Sequence, residues 1–106
     1  MQILVHAVHL PVSDSFPVFA EERIEDVLAR FADKLTRVEV HITDENAQKG
    51  GVDIRCLIEA RPRGLPPMTA EHRGEGVRET FSGALAKMEK VLEHDFSKRA
   101  TKRRPT

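Results

Sequence analysis

The chain has 106 residues, 40% of them hydrophobic and 32% charged, a composition ordinary for a globular protein and a length that excludes two independent cores. No apolar run approaches the ~20 residues of a membrane span, and no basic segment precedes the apolar start, so we expect neither a transmembrane helix nor a signal peptide, and a cytoplasmic location. The lone Cys56 excludes an internal disulfide and a cysteine-based zinc site, and its apolar neighbours predict a core thiol.

The first two predicted elements are a strand and a long helix. In residues 2–10, Ile3, Val5 and Ala7 alternate with Gln2, Leu4 and His6, and the run ends at Pro11, which is typical of a strand. Ser13 and Asp14 are candidate N-caps, and Pro17 is compatible with the first helical turn. Apolar residues then recur every three or four positions, which predicts an amphipathic helix of about five turns. Its apolar stripe consists of Ile24, Val27, Leu28, Phe31 and Leu35.

Three strands and a second helix complete the predicted chain. Residues 38–42 and 52–60 alternate apolar and polar side chains, which predicts two half-buried antiparallel strands joined by a long hairpin connection at residues 43–51. After a proline-rich break, residues 68–73 predict a short edge strand. The apolar stripe of the last helix consists of Val77, Phe81, Ala84, Leu85, Met88, Val91 and Leu92.

This element order predicts an α+β fold of the type β-α-β-β-β-α. The strand–helix–strand start requires a right-handed crossover with the first two strands parallel, and the later strands form an antiparallel meander. The simplest arrangement is a four-stranded sheet in the order 1-2-3-4, with both helices packed on one face. We expect residues 1–97 to form this single domain and residues 98–106 to be a basic, disordered tail.

Basic residues are unevenly distributed along a chain whose formal net charge is zero. Residues 97–106 contain five basic residues and no acidic one, so the remaining 12 basic residues face 17 acidic ones and the body carries −5. Basic tails of this kind are either simple solubilising ends or electrostatic contacts for an anionic partner.

Both predicted helices carry a basic stripe. At 100° per residue, four side chains of the second helix share one side, with acidic residues on the opposite flank. They are Lys87, Lys90, His94 and Lys98. On the first helix, the side chains of Arg23, Arg30 and Lys34 fall within about 40° of each other. Two interpretations are open, namely solvated faces with ordinary ion pairs, or surfaces for an anionic partner.

Three stretches of the chain, in this order, form a recognisable pattern. In residues 30–46 an Arg-Phe-x-Asp-Lys sequence runs directly into a Val-x-Val strand, the stretch 53-DIRCLIEARPRG-64 follows, and the helix around residues 84–94 contains Lys-Met-Glu-Lys. This combination resembles the bacterial ribosome hibernation factor family, also called the ribosome-associated inhibitor or sigma-factor-modulation family, in its short type. The similarity extends from His9 to about Arg99.

The resemblance implies a fold related to double-stranded-RNA-binding domains and a specific partner, the small ribosomal subunit. Such proteins occupy the channel between its head and body, overlap the sites of messenger and transfer RNA, and silence idle ribosomes. The longer type adds a dimerisation domain that this sequence lacks, so we do not expect ribosome pairing by that route. Glu93 and Asp95 stand where family members commonly carry Lys or Arg.

The charge pattern and the resemblance together predict the RNA-binding residues. They are Arg23, Arg30, Lys34, Lys87, Lys90, His94, Lys98 and Arg99. Such side chains contact phosphates and sugar hydroxyls, because side chains cannot enter the deep major groove of an RNA helix, and such binding weakens steeply with salt. Phe16, Phe19 and Phe96 are the only candidates for base stacking, and we expect each of them to pack in the protein instead.

An enzyme is the main competing class. His6, His41 and His72 can share the outer face of the sheet with Asp53 or Glu59, as a metal or general-base site would require. No pair of histidines has a metal-ligand spacing such as H-E-x-x-H, and no glycine-rich phosphate loop occurs. We therefore expect no catalytic residues, no bound metal or other cofactor, and no small-molecule substrate.

A third hypothesis is a protein-interaction module of the same fold that does not bind ribosomes. It would use the exposed sheet face around Arg55, Leu57 and Glu59. Under either binding hypothesis we expect a chain that does not associate with membranes and is monomeric away from its partner.

Overall fold

The computed structural model describes residues 1–10, 13–46 and 52–103. In chain order the elements are β1 (Gln2–Val8), α1 (Phe16–Val27), a 3₁₀ helix (Ala29–Lys34), β2 (Leu35–Asp44), β3 (Ile54–Pro62), β4 (Met68–Gly74) and α2 (Val77–Arg103). Pro11, most of the predicted hairpin connection and residues 104–106 lie outside the described residues.

The four strands form one sheet in the order β1-β2-β3-β4. Strand β1 pairs with β2 in parallel, and the other two pairs are antiparallel. The predicted α+β fold, strand order and strand directions are therefore confirmed, including the place of β4 at an edge.

Both helices cover the same face of this sheet. Alternate side chains of β2 and β3 point to that face and are fully buried, as the period of two predicts. They are Val38, Val40, Ile42, Cys56, Ile58 and Ala60. The helices complete a single core with Phe16, Ala20, Ile24, Leu28, Phe81, Ala84, Leu85, Met88 and Leu92. The opposite face of the sheet carries mostly charged and polar residues, with Leu4, Val8 and Leu57 among them.

The first helix is shorter than the sequence predicts. Helix α1 ends at Val27 after 12 residues, about three turns rather than five, and a 3₁₀ helix follows. In a 3₁₀ helix residues three apart lie on the same side, so Phe31 remains buried three residues after Leu28. The apolar spacing of three is thus common to both helix types and conceals the transition between them.

The start of α1 also differs from the prediction. The residue at the N-cap is Ser15, which makes no side-chain capping hydrogen bond. The predicted caps Ser13 and Asp14 are therefore wrong. Ser13 contributes its backbone carbonyl, which accepts a hydrogen bond from the Phe16 N–H (3.0 Å). Pro17 occupies the first turn as expected, where its missing N–H leaves no helical bond unmade.

Helix α2 extends through 27 residues, about 40 Å, whereas the strands have seven to ten residues. The domain boundary predicted at residue 97 falls inside this helix. The C-terminal turns of α2 accordingly project past the sheet, which gives the molecule a long axis of 57 Å. Within the described part of the chain no helix is both long enough and apolar enough to cross a membrane.

Helix α2 approaches β4 closely at one glycine. A Cβ atom built at Gly83 would overlap the imidazole ring of His72. His72 points toward α2 because it alternates with the outward-facing Glu71 and Arg73 and stands opposite the buried Cys56 in the register. It therefore does not share the outer face with His6 and His41.

Replacing Gly83 with alanine is expected to destabilise the fold, although alanine is the better helix former by about 1 kcal/mol. The added methyl group must displace His72 or shift α2, and overpacking of this kind costs about 1–3 kcal/mol. Chemical denaturation of G83A measures the change. The control is S82A at the exposed neighbouring position, which should be neutral or slightly stabilising; equal stabilisation by both variants would contradict the close contact.

The core thiol offers a second test of the packing. Cys56 is fully buried, as predicted, and burial raises its pKa to about 12, because the thiolate is disfavoured away from water. We expect a thiol-specific reagent to leave the native protein unmodified at pH 8 and to react within seconds once the chain is denatured. Rapid stoichiometric modification of the native protein would show that β3 is accessible at this position.

Candidate nucleic-acid interface

The clearest basic surface lies along α2 and is called here the α2 stripe. It consists of Lys87, Lys90, His94 and Lys98, and all four side chains are exposed. The Lys87 Nζ donates a hydrogen bond to the backbone carbonyl of Glu71 on β4 (3.0 Å), so the stripe begins at the edge of the sheet. It extends about 16 Å along the helix axis. In the described chain none of its side chains is in a salt bridge with a carboxylate.

The other flank of α2 is acidic and is occupied by Arg30. The two terminal nitrogens of this guanidinium bind Glu89 (3.0 Å) and Glu93 (3.3 Å). The ring of Phe31 lies 4.5 Å from its central carbon. Arg30 is therefore placed between the 3₁₀ helix and α2 with its charge neutralised, although half of its side chain is exposed.

Three basic residues predicted to align on the first helix do not form one stripe. Arg23 lies in α1 and pairs with Asp26 (3.6 Å), whereas Arg30 and Lys34 belong to the 3₁₀ helix. Four residues of a 3₁₀ helix turn the chain by about 120° beyond a full circle, not by the 40° of an α-helix. Lys34 consequently turns toward α2, where its Nζ lies 5.0 Å from the ring of Phe96. The predicted alignment is wrong because it assumed a continuous α-helix.

A second basic region surrounds a cavity of about 280 Å³ at the C-terminal part of α2. Lys34, Arg63 and Arg99 line it together with apolar side chains, among them Leu65 and Phe96. The Arg63 Nε donates to the carbonyl of Asp33 (3.1 Å). Arg99 belongs to this cavity and not to the α2 stripe, since it lies about 120° from Lys87 around the helix.

Two of these cavity residues, Arg63 and Arg99, are only partly available to a ligand, because each already donates a hydrogen bond within the protein. The Arg99 Nε donates to Asp95 (2.8 Å), one turn earlier on α2.

Arg63 was missed by the sequence analysis, although the run 61-RPRG-64 in a turn next to a strand was the signal that could have identified it. The cavity thus adds one basic residue to those predicted and separates Lys34 and Arg99 from the others.

Arginines on the outer face of the sheet are held by carboxylates. Arg61 donates to Glu59 (2.7 Å), a hydrogen bond that lowers the pKa of Glu59. Arg55 lies 2.9 Å from Glu71 and lowers the pKa of that carboxyl in the same way. Arg73 pairs with Asp53 (3.1 Å). Because these guanidinium groups are already engaged, the α2 stripe is the better surface for phosphates.

The phenylalanines are used for packing, as predicted. Phe16 is buried, and Phe19 and Phe96 are partly buried against the core. Edge-to-face contacts join Phe16 and Phe19 to Phe81, with ring centroids 5.7 and 5.9 Å from it. Packing therefore occupies most of the surface of these rings, and Phe96 is the one of the three that also lines the cavity.

Comparison with known proteins identifies the family. The family described as sigma 54 modulation protein / S30EA ribosomal protein matches residues 3–104. No protein of curated function matches the chain by sequence. Two solved structures share the fold. One is a ribosomal subunit interface protein from Coxiella burnetii, with a TM-score of 0.78 at 11% identity, covering 92% of this chain and 99% of that one. The other is the Thermus thermophilus Protein Y N-terminal domain, with a TM-score of 0.71 at 16% identity, covering 89% and 98%.

Neutralising the acidic flank of α2 should strengthen RNA binding. In the variant E89Q/E93Q the charge of Arg30 is released and two repulsive charges disappear, so affinity for a short labelled RNA duplex should rise severalfold at low salt and less at high salt. Fluorescence anisotropy measures this change. The matched control is E21Q/E25Q, which removes two exposed acidic residues from α1. An equal gain in the control would mean that only net charge matters, and not the place where it is changed.

Proposed function

The chain belongs to the sigma 54 modulation protein / S30EA ribosomal protein family, and we propose that it is a ribosome-associated translation inhibitor that acts in hibernation. In this proposal it binds RNA of the small ribosomal subunit, in the channel used by messenger and transfer RNA, and it acts in the cytoplasm. It works by occupying a site and not by catalysis. The observation that carries the proposal is the α2 stripe, whose basic side chains are exposed and form no salt bridge within the described chain.

The geometry of the stripe suits an RNA backbone. Lys87, Lys90, His94 and Lys98 follow one side of a rigid helix over about 16 Å, so they meet several phosphates in succession without reorganising the protein. Contacts of this kind recognise the shape of folded RNA and not its sequence. A protein held in this way excludes other ligands from the same channel by volume, and it needs no cofactor or small-molecule substrate.

The second basic region extends the proposed surface past the sheet. Lys34, Arg63 and Arg99 lie around the cavity beside the last described turns of α2. Arg99 is hydrogen-bonded to Asp95, and Arg30 forms salt bridges with Glu89 and Glu93. We therefore expect Arg99 and Arg30 to contribute less to RNA binding than the α2 stripe. Arg23 lies nearer the start of α1 with Asp26 beside it, and we expect the smallest contribution from it.

Two names among the similar structures support this proposal. A ribosomal subunit interface protein and the N-terminal domain of Protein Y share the fold over nearly the whole of each solved chain. Their low identity to this chain gives the fold and not the binding residues, so the RNA contacts are proposed from the charges described above.

Co-sedimentation with purified small ribosomal subunits tests the proposal directly. We expect stoichiometric binding at low salt that declines steeply as salt is raised and that is displaced by added transfer RNA. Binding that resists transfer RNA would place the protein outside the decoding channel. No binding even at low salt would reject the proposal and favour the protein-interaction module of the same fold.

The variant K87Q/K90Q tests whether the α2 stripe makes the contacts. Binding to small subunits should weaken, and the slope of log affinity against log salt should fall by about one for each lysine. Thermal stability should hardly change, because both side chains are exposed. The control S82E/V18E alters net charge by the same two units at exposed positions outside the stripe. If both variants weaken binding equally, the stripe is not the contact surface.

A further inference from the structure

Three possible metal ligands meet on the outer face of the sheet, away from both helices. They are His6 on β1 and Glu39 and His41 on β2, and one ligand atom from each lies within 4.8 Å of the others. The parallel register places His6 directly beside His41. Glu39 precedes His41 by two residues and therefore shares its face. The cluster is thus built by two neighbouring strands of a rigid sheet.

The two histidine rings are already stacked. Their centroids are 4.9 Å apart and their planes differ by 14°. Tetrahedral zinc with bonds of about 2.0–2.1 Å requires ligand atoms about 3.4 Å apart. The His6 side chain is 47% exposed and that of His41 is also exposed, so rotation about the side-chain torsions closes this difference without moving the backbone.

The carboxylate of Glu39 is oriented toward the histidines by arginines behind it. Its Oε2 lies 3.7 Å from Arg37 and 3.8 Å from Arg61. Its Oε1 lies on the other side, 3.8 Å from the Nε2 of His6. The side chain is only 15% exposed, so its position is well defined. These contacts restrict the orientation of the Glu39 carboxylate and leave its Oε1 on the side of His6.

We propose that His6, Glu39 and His41 bind a divalent transition-metal ion, with Zn²⁺ as the best match. Two imidazole nitrogens and one carboxylate oxygen form a common three-ligand zinc set, which leaves a fourth position for water or for an atom of a partner. Calcium and magnesium do not fit, because they take oxygen ligands almost exclusively. The histidines must be neutral to bind the ion.

This site is independent of the proposed RNA surface. The cluster lies on the outer face of β1 and β2, whereas the α2 stripe lies on the helix that covers the other face. Loss of the metal ligands should therefore leave binding to small ribosomal subunits intact. The metal proposal and the proposed function can fail separately.

Isothermal titration of the untagged chain with ZnCl₂ tests the proposal. We expect one Zn²⁺ per chain, and at least a tenfold loss of affinity in H6A and in H41A, of the order found when a metal site is disrupted. E39Q keeps the shape and removes the charge, and it should also bind more weakly. Titration with CoCl₂ should give the visible absorption of a tetrahedral site in the unmodified chain and not in the variants.

The control is H9N, which removes another exposed histidine three residues after His6. Asparagine tolerates the positive φ of 57° found at His9 better than most residues, so this variant should fold. It should retain full zinc affinity. Equal losses in H9N and H6A, or unchanged affinity in both H6A and H41A, would overturn the site and indicate adventitious binding by surface histidines. Circular dichroism of each variant verifies that the fold is preserved.

Discussion

Burial on one side of the sheet is the constraint on which the remaining structure depends. Both helices pack on the same face, so successive side chains of β2 and β3 must point alternately into the core and into solvent. A slip of one residue would exchange the buried Val40 for His41 and place an imidazole under the helices. The register that protects the core therefore also determines the outer face. It places Glu39 and His41 beside one edge strand and the arginines of β3 and β4 beside their carboxylates.

The same arrangement reconciles a net charge of zero with a surface suited to phosphates. Acidic residues outnumber basic ones in the body of the chain, but many of them are committed to particular partners. On the sheet they hold Arg55, Arg61 and Arg73, and on one flank of α2 they hold Arg30. The lysines on the other flank form no salt bridge within the described residues, so their charges are not paired in this way. Net charge is thus a poor guide to what this protein attracts.

Local periodicity predicted the sheet, its order and the core, since each strand has one apolar face and each helix one apolar stripe. It failed at the end of the first helix, because Phe31 stays buried in a 3₁₀ helix as it would in an α-helix. That single difference displaced Lys34 from its predicted stripe. The pairing of Arg30 with Glu89 joins residues 59 positions apart, and the place of Arg63 at the cavity depends on how α2 crosses the sheet. Neither follows from neighbouring sequence.

Sequence reasoning grouped His6 and His41 on the outer face but left out Glu39 and expected no metal site, for a related reason. A search for metal-ligand spacings examines residues on one element, and 35 positions separate His6 from His41. The parallel register of β1 and β2 places His6 beside His41, whereas the alternation of side chains along β4 directs His72 to the opposite face of the sheet. A sheet that helices cover on one side can therefore have a cationic surface on the helix side and a cluster of possible metal ligands on the uncovered side. In our two proposals, basic side chains of α2 bind RNA, whereas His6, Glu39 and His41 on the uncovered face bind a metal ion. The α2 stripe and the histidine cluster lie on opposite sides of the sheet, so the two proposed sites are spatially separate.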